Sequence, residues 1–151
     1  MKIVFASSNS GKITELTKLL NSYSVQIIPQ KLLNIKDADE TGLTFVENAI
    51  IKARNACLIS KLPSIADDSG LEVSALNGSP GIYSSRYANI NASSKQNIDK
   101  LLINLKNTPK ESRQARFYCA IVYMEHAKDP TPIICEANWN GLILDKPIGV
   151  E

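Results

Sequence analysis

The chain has 151 residues, enough for one domain and short for two, so we predict a single domain over residues 1–151. Charged residues make up 21% of the chain and the formal net charge is only +2, which argues against nucleic acid or a membrane surface as partner. No stretch approaches the ~20 apolar residues of a membrane span, and the first residues lack a secretory signal pattern, so we expect a cytoplasmic protein. The three cysteines, Cys57, Cys119 and Cys135, fall within apolar stretches, which favours buried reduced thiols.

The first half of the chain alternates predicted strands and helices. The most clearly marked element is the second helix, because Thr44 and Glu47 have capping-box spacing and are followed by a face of Phe45 and small apolar residues. The predicted elements, in order, are a strand over 2–6, a small-residue loop over 7–11, a helix from 12, a strand over 23–29 and a helix from 44 to 62.

The second half of the chain is mostly strand. The predicted elements, in order, are the strand that carries Asp67 and Asp68, the segment 71–73, a turn-rich segment over 77–91, a helix capped by Ser93 or Ser94, and strands over 116–125, 132–136 and 139–144. Strands and helices alternate in the first half of the chain, and the second half is mostly strand. This order of elements indicates an α/β fold with a mixed β-sheet and flanking helices.

Two neighbouring acids, Asp67 and Asp68, end a short apolar run and are followed by Ser69 and Gly70. Side chains alternate along a strand, so the two carboxylates are expected on opposite faces of the sheet. Packing gives no reason to place two anions there, whereas oxygen ligands suit a hard cation such as Mg²⁺. By itself the pair is equally consistent with a solvated turn in which the carboxylates accept hydrogen bonds from backbone N–H groups.

A loop of small residues leads from the first strand into the first helix. Its position favours a phosphate site, because a helix N-terminus presents free N–H groups and ligand sites of α/β sheets lie at the carboxyl ends of strands. The alternative is an ordinary loop in which Ser and Asn cap the helix. The loop residues are Ser7, Ser8, Asn9, Ser10, Gly11 and Lys12.

Two further segments carry charged candidates. Glu40 lies on a polar connection just before the capped helix and is either a third carboxylate of the acidic site or a solvated acid. Glu47 is assigned to the capping box. Arg86 follows the Pro80-Gly81 turn. We interpret this segment as a surface turn or a subunit contact in preference to a catalytic site.

Together these segments resemble the inosine/xanthosine triphosphate pyrophosphatase (Ham1-like) family, and the resemblance runs over the whole chain. The runs Ala66–Gly70, read ADDSG, and Glu40–Ala49, read ETGLTFVENA, are specific to that family. The resemblance implies hydrolysis of ITP, dITP and XTP to a monophosphate and pyrophosphate, which removes deaminated purines from the nucleotide pool. It also implies Mg²⁺ as cofactor, a homodimer, and an α/β structure with a central cleft between two lobes.

The resemblance also implies roles for individual residues. Residues 7–12 match the family's phosphate-binding loop, with Lys12 facing the triphosphate. Glu40 matches a metal-binding carboxylate, and Asp68 matches the proton acceptor and second metal ligand. Ser69 matches a substrate contact, and Asp67 matches an acidic neighbour with a supporting role.

The chain differs from the family's pattern at its C-terminus. Family members continue past the position of Glu151 with segments that contact base and phosphate, so we expect closing elements of the fold to be missing here. The alternative to an active enzyme is therefore a truncated, inactive relative that binds phosphate or a partner subunit without turnover.

Overall fold

The computed structural model describes residues 1–149, and a five-stranded sheet organises them. The strands are β1 (Lys2–Phe5), β2 (Gln26–Pro29), β3 (Ser64–Val73), β4 (Gln114–Met124) and β5 (Ile133–Leu142). Their order is β2-β1-β3-β4-β5, and β1 pairs in parallel with both β2 and β3. The connection between β4 and β5 is too short for a parallel crossover, so these neighbours are antiparallel and the sheet is mixed. The predicted α/β class is confirmed.

Each of the three α-helices begins at a polar cap. They are α1 (Ser10–Leu20), α2 (Phe45–Ser60) and α3 (Ser94–Asn104). Asn9 caps α1, Thr44 and Glu47 form the predicted capping box of α2, and Ser93 with Gln96 forms one at α3. These side chains satisfy amides that have no acceptor within the helix. Within residues 1–149, every helix is too short or too polar to cross a bilayer.

Two compact units divide the chain. The first comprises 1–68 and 120–136, and the second comprises 69–119 and the residues from 137 onward. Strands β3, β4 and β5 each contribute residues to both units. The assignment of the whole chain to one domain stays a prediction.

In the first unit, the inner strands are buried on both faces. On one face, Ile3 and Ile65 form a core with partly buried side chains of α1. On the opposite face, Val4 and Ala66 pack with the buried alanines of α2. This arrangement follows from the alternation of side chains along each strand, and it places the two helices on opposite sides of β1 and β3.

The second unit has its own core, in which Val73, Leu101, Leu105 and Ala115 are all buried. Arg113 is also buried, and its guanidinium donates to the carbonyl oxygen of Leu105 at 3.1 Å. The end of α3 is thereby capped by a cation, which suits the unpaired carbonyls and negative dipole of a helix C-terminus.

Two details of the sequence interpretation are wrong. The predicted strands at 132–136 and 139–144 are one strand, β5, and the strand of Asp67 and Asp68 continues through 71–73 as β3. The three cysteines are free thiols, but only Cys57 is buried, whereas Cys119 is partly buried and Cys135 is exposed. Cys135 differs from the prediction because every residue of β5 is exposed.

Candidate active site

Asp67 lies on the side of β3 that faces α1. It follows Ile65 by two positions, so it continues the face that packs against that helix. Its Oδ2 lies 2.5 Å from Nζ of Lys12, and its side chain is only 8% exposed. The small-residue loop and the acidic pair are thus joined directly. The solvated-turn alternative is excluded, because Asp67 and Asp68 are both buried within a strand.

Asp68 lies on the opposite side of β3, towards α2. Its Oδ2 accepts a hydrogen bond from Nδ2 of Asn48 at 3.2 Å, and its Oδ1 lies 3.5 Å from Nζ of Lys52. The same ammonium donates to Oε1 of Glu40 at 3.2 Å. Two acids from distant parts of the chain, Glu40 and Asp68, therefore converge on one cationic group. Two carboxylates that face one positive charge supply oxygen ligands of the kind that a hard cation prefers.

Burial raises the pKa of Asp68 above its ordinary value, because desolvation penalises the charged carboxylate most strongly. The negative charge of Glu40 raises this pKa further, whereas Lys52 and the hydrogen bond from Asn48 lower it. Desolvation outweighs these opposing contacts. A carboxylate with a raised pKa is a stronger base than a solvated one, so Asp68 is suited to accept a proton.

The segment that carries Glu40 is fixed to the start of α2. The backbone N–H of Gly42 donates to Oδ1 of Asn48 at 2.9 Å, and the N–H groups of Leu43 and Thr44 donate to Oε2 of Glu47. These bonds lower the pKa of Glu47. A Cβ at Gly42 would lie 2.6 Å from Cβ of Glu47. Only glycine fits this approach, which explains the glycine before the capped helix.

The loop at residues 7–12 is held by polar contacts of its own. Oδ1 of Asn9 accepts from the backbone N–H of Lys12 at 3.0 Å, and the N–H of Asn9 donates to Oγ of Ser7. The hydroxyl of Ser8 donates to the carboxylate of Asp37 at 2.8 Å. The start of α1 follows at once, so amides without helical acceptors and a positive dipole end lie directly after β1. This geometry suits phosphate oxygens.

Ser69 follows Asp68 on β3 and is partly buried. Its predicted contact with substrate stays a prediction, as do the roles assigned to Glu40, Asp68 and residues 7–12. The structure brings Lys12 to Asp67 and brings Glu40 to the surroundings of Asp68.

Two residues of this site, Asn48 and Lys52, were missed by the sequence interpretation. A signal for them exists, because they are four residues apart and so share one face of α2. Asn48 also interrupts the otherwise apolar face formed by Phe45, Ala49 and Ala53. A fully buried amide in such a face requires a hydrogen-bond partner, which here is Asp68.

Comparisons with known proteins agree with this fold and place the chain in a family. The Ham1 family model matches residues 3–151. A dITP/XTP pyrophosphatase from Pectobacterium atrosepticum is 53% identical over 148 residues, which are 98% of this chain and 75% of that protein. One from Escherichia coli K12 is 50% identical over the same shares.

A solved structure of a HAM1 protein from Coxiella burnetii superposes with a TM-score of 0.94 at 47% identity, covering 99% of this chain and 76% of that one. The resemblance drawn from the sequence motifs is confirmed. The chain belongs to the Ham1 family.

Proposed function

We propose that the chain is a nucleoside triphosphate pyrophosphatase that hydrolyses non-standard purine nucleotides, ITP, dITP and XTP, to the monophosphate and pyrophosphate. The observation that carries the proposal is the convergence of Glu40 and Asp68 on Lys52, together with the contact of Lys12 with Asp67, the neighbour of Asp68 on β3. Relatives about half identical to this chain bear the name dITP/XTP pyrophosphatase. An inactive relative would have no need to keep buried acids that destabilise the fold.

Mg²⁺ is the proposed cofactor, and Glu40 and Asp68 are its proposed ligands. Their oxygens are the donors that this cation prefers, and both already face a single positive charge. Within residues 1–149 there is no group of three or more His, Cys, Asp or Glu side chains that could hold a metal. Two carboxylates are sufficient for Mg²⁺ when substrate phosphates and water complete its coordination. When bound there, the ion would polarise a phosphoryl oxygen.

The remaining roles follow from position and charge. The loop at residues 7–12 and the ammonium of Lys12 bind the polyphosphate, since helix amides and a cation both favour anionic oxygens. Lys52 compensates negative charge beside the carboxylates. Asp68 accepts the proton of the attacking water, since its carboxylate lies beside the position proposed for the cation. Ser69 contributes a further substrate contact.

Homodimer assembly and a cytoplasmic location are proposed on the family resemblance alone. Light scattering tests the first of these proposals, and fractionation of cells tests the second.

The experiment that tests the function measures pyrophosphate release from ITP and from ATP with Mg²⁺ present. We expect turnover of ITP to exceed that of ATP, and Glu40→Gln and Asp68→Asn each to lower kcat by ~100-fold or more. Asp99→Asn is the matched control, because Asp99 is an exposed acid of α3 paired with Lys95. Release of inorganic phosphate in place of pyrophosphate would contradict the assigned reaction, and full activity of both site variants would contradict the assigned residues.

A further inference from the structure

Asn48 lies in the first turn of α2, and its side chain is completely buried. Burying an amide costs free energy unless both of its ends form hydrogen bonds. Both ends of this amide do so: Oδ1 accepts from the backbone of Gly42 at 2.9 Å, and Nδ2 donates to Asp68 at 3.2 Å. The side chain therefore occupies a specific polar position inside an otherwise apolar face.

The orientation of this amide is fixed by chemistry. The backbone N–H of Gly42 can only donate, so it must meet the oxygen of Asn48 and not its nitrogen. The NH₂ group is then forced towards Oδ2 of Asp68. Lys52 lies at the other oxygen, Oδ1, so the two oxygens of the carboxylate have separate partners. A rotation of the Asp68 carboxyl plane by about 90° would break both contacts.

The same amide also restrains Glu40. Gly42 comes two residues after Glu40, and it approaches Asn48 so closely that a Cβ there would lie 2.8 Å from Oδ1. Because of this close packing, the segment that carries Glu40 cannot move closer to the helix that carries Asn48. One side chain thus restrains both the strand position of Asp68 and the loop position of Glu40.

We propose that Asn48 is a positioning residue that sets the orientation of Asp68 and the spacing between Asp68 and Glu40, and thereby the affinity of the pair for a divalent cation. The proposal rests on the proposed function, since it takes these two acids as the metal ligands. Hydrogen-bond partners of ligating carboxylates commonly change metal affinity by ~10-fold to 100-fold when they are removed. A purely structural Asn48 would affect folding alone.

The test compares Asn48→Ala with Thr44→Ala, which removes a cap from the same turn of α2. The hydroxyl of Thr44 accepts from the N–H of Glu47, and its loss weakens the helix start without removing a partner of Asp68. Binding of Mn²⁺ to each folded protein is measured by electron paramagnetic resonance, with no substrate present. The half-saturating Mg²⁺ concentration for pyrophosphate release from ITP gives a second reading.

We expect Asn48→Ala to weaken Mn²⁺ binding by ~10-fold or more and to raise the half-saturating Mg²⁺ concentration in parallel, while Thr44→Ala changes neither by more than ~2-fold. Asn48→Ser, whose hydroxyl is too short to reach both partners, is expected to fall between Asn48→Ala and the parent and serves if Asn48→Ala does not fold. Equal Mn²⁺ affinity in the parent and all three variants would overturn the role of Asn48 alone. Failure of the parent to bind Mn²⁺ would overturn the metal site itself.

Discussion

Gly42 packs closely against the start of α2, so replacing it tests directly whether this contact positions Glu40. Replacing it with alanine places a Cβ 2.6 Å from Cβ of Glu47, 2.8 Å from Oδ1 of Asn48 and 3.0 Å from the backbone nitrogen of Asn48. Carbon atoms in ordinary contact lie about 3.5–4.0 Å apart, so the segment must move away from α2 by about 1 Å. Cβ of Glu47 and the backbone nitrogen of Asn48 cannot rotate away, and Oδ1 belongs to a buried amide that is hydrogen-bonded at both ends.

Two effects of Gly42→Ala follow from this displacement. Overpacking of a well-packed position costs about 1–3 kcal/mol of the free energy of unfolding. Glu40 lies two residues away and moves with the segment, so its distance from Lys52 and Asp68 changes. A displacement of about 1 Å in a reacting group can lower turnover by about 100-fold. We therefore expect a large loss of kcat beside a moderate loss of stability.

The assay pairs urea unfolding with pyrophosphate release from ITP at saturating Mg²⁺. Gly141→Ala is the matched control, because a Cβ at Gly141 meets no atom within 4 Å. We expect that control to change the free energy of unfolding by less than about 1 kcal/mol and to retain turnover. If Gly42→Ala behaves like Gly141→Ala in both measurements, the close approach at Gly42 does not position Glu40.

Two further predictions concern stability. The pKa of Asp68 is raised in the folded state, so the stability that this group contributes is present in acid and is lost as the pH rises through the folded pKa. Asp68→Asn should therefore raise the free energy of unfolding relative to the parent, and by more at pH 8 than at pH 4. Urea unfolding at both pH values measures this difference between variant and parent. A difference that becomes smaller as the pH rises would refute the argument that burial raises the pKa of Asp68. Leu105→Ala removes a fully buried side chain from the core of the second unit, and it should cost about 2–5 kcal/mol. A loss below about 1 kcal/mol in thermal unfolding would show that this core does not limit stability.

Local features of the fold were predictable from the sequence because local chemistry determines them. The capping box of Thr44 and Glu47 depends on residues three apart, and the buried face of α2 depends on helical spacing. The opposite placement of Asp67 and Asp68 depends only on the period of a strand. In each case the interacting groups are neighbours in the chain, so no knowledge of the tertiary structure was needed.

Features that depend on distant contacts were not predictable in this way. The sequence interpretation lists 71–73 apart from the strand of Asp67 and Asp68, yet β3 continues through Gly70 to Val73. The pairing of Ser8 with Asp37 joins two loops, and no spacing rule links them. The contact between Asn48 and Asp68 likewise joins a helix to a strand that follows it. Both contacts depend on the tertiary packing of segments that are distant in the chain, which a single sequence does not encode in any local pattern.

The register of β3 decides which acid meets which helix. β1 and β3 pair with Val4 opposite Ser64 and Phe5 opposite Ile65, and this register fixes the face of every later residue of β3. A slip by one residue would turn Asp67 towards α2 and Asp68 towards α1, because the period of a strand is two. Lys12 would then face Asp68, and Lys52 and Glu40 would face Asp67 in place of Asp68.

Ser64 resists such a slip. Its buried hydroxyl donates to the carbonyl oxygen of Ala53 at 2.7 Å and lies 3.1 Å from Sγ of Cys57. Both partners belong to α2, so the first residue of β3 is fixed to the helix that also carries Asn48 and Lys52. A polar contact at one end of the strand therefore maintains the alignment of the acids that follow it, and the chemistry proposed for Asp68 depends on that alignment.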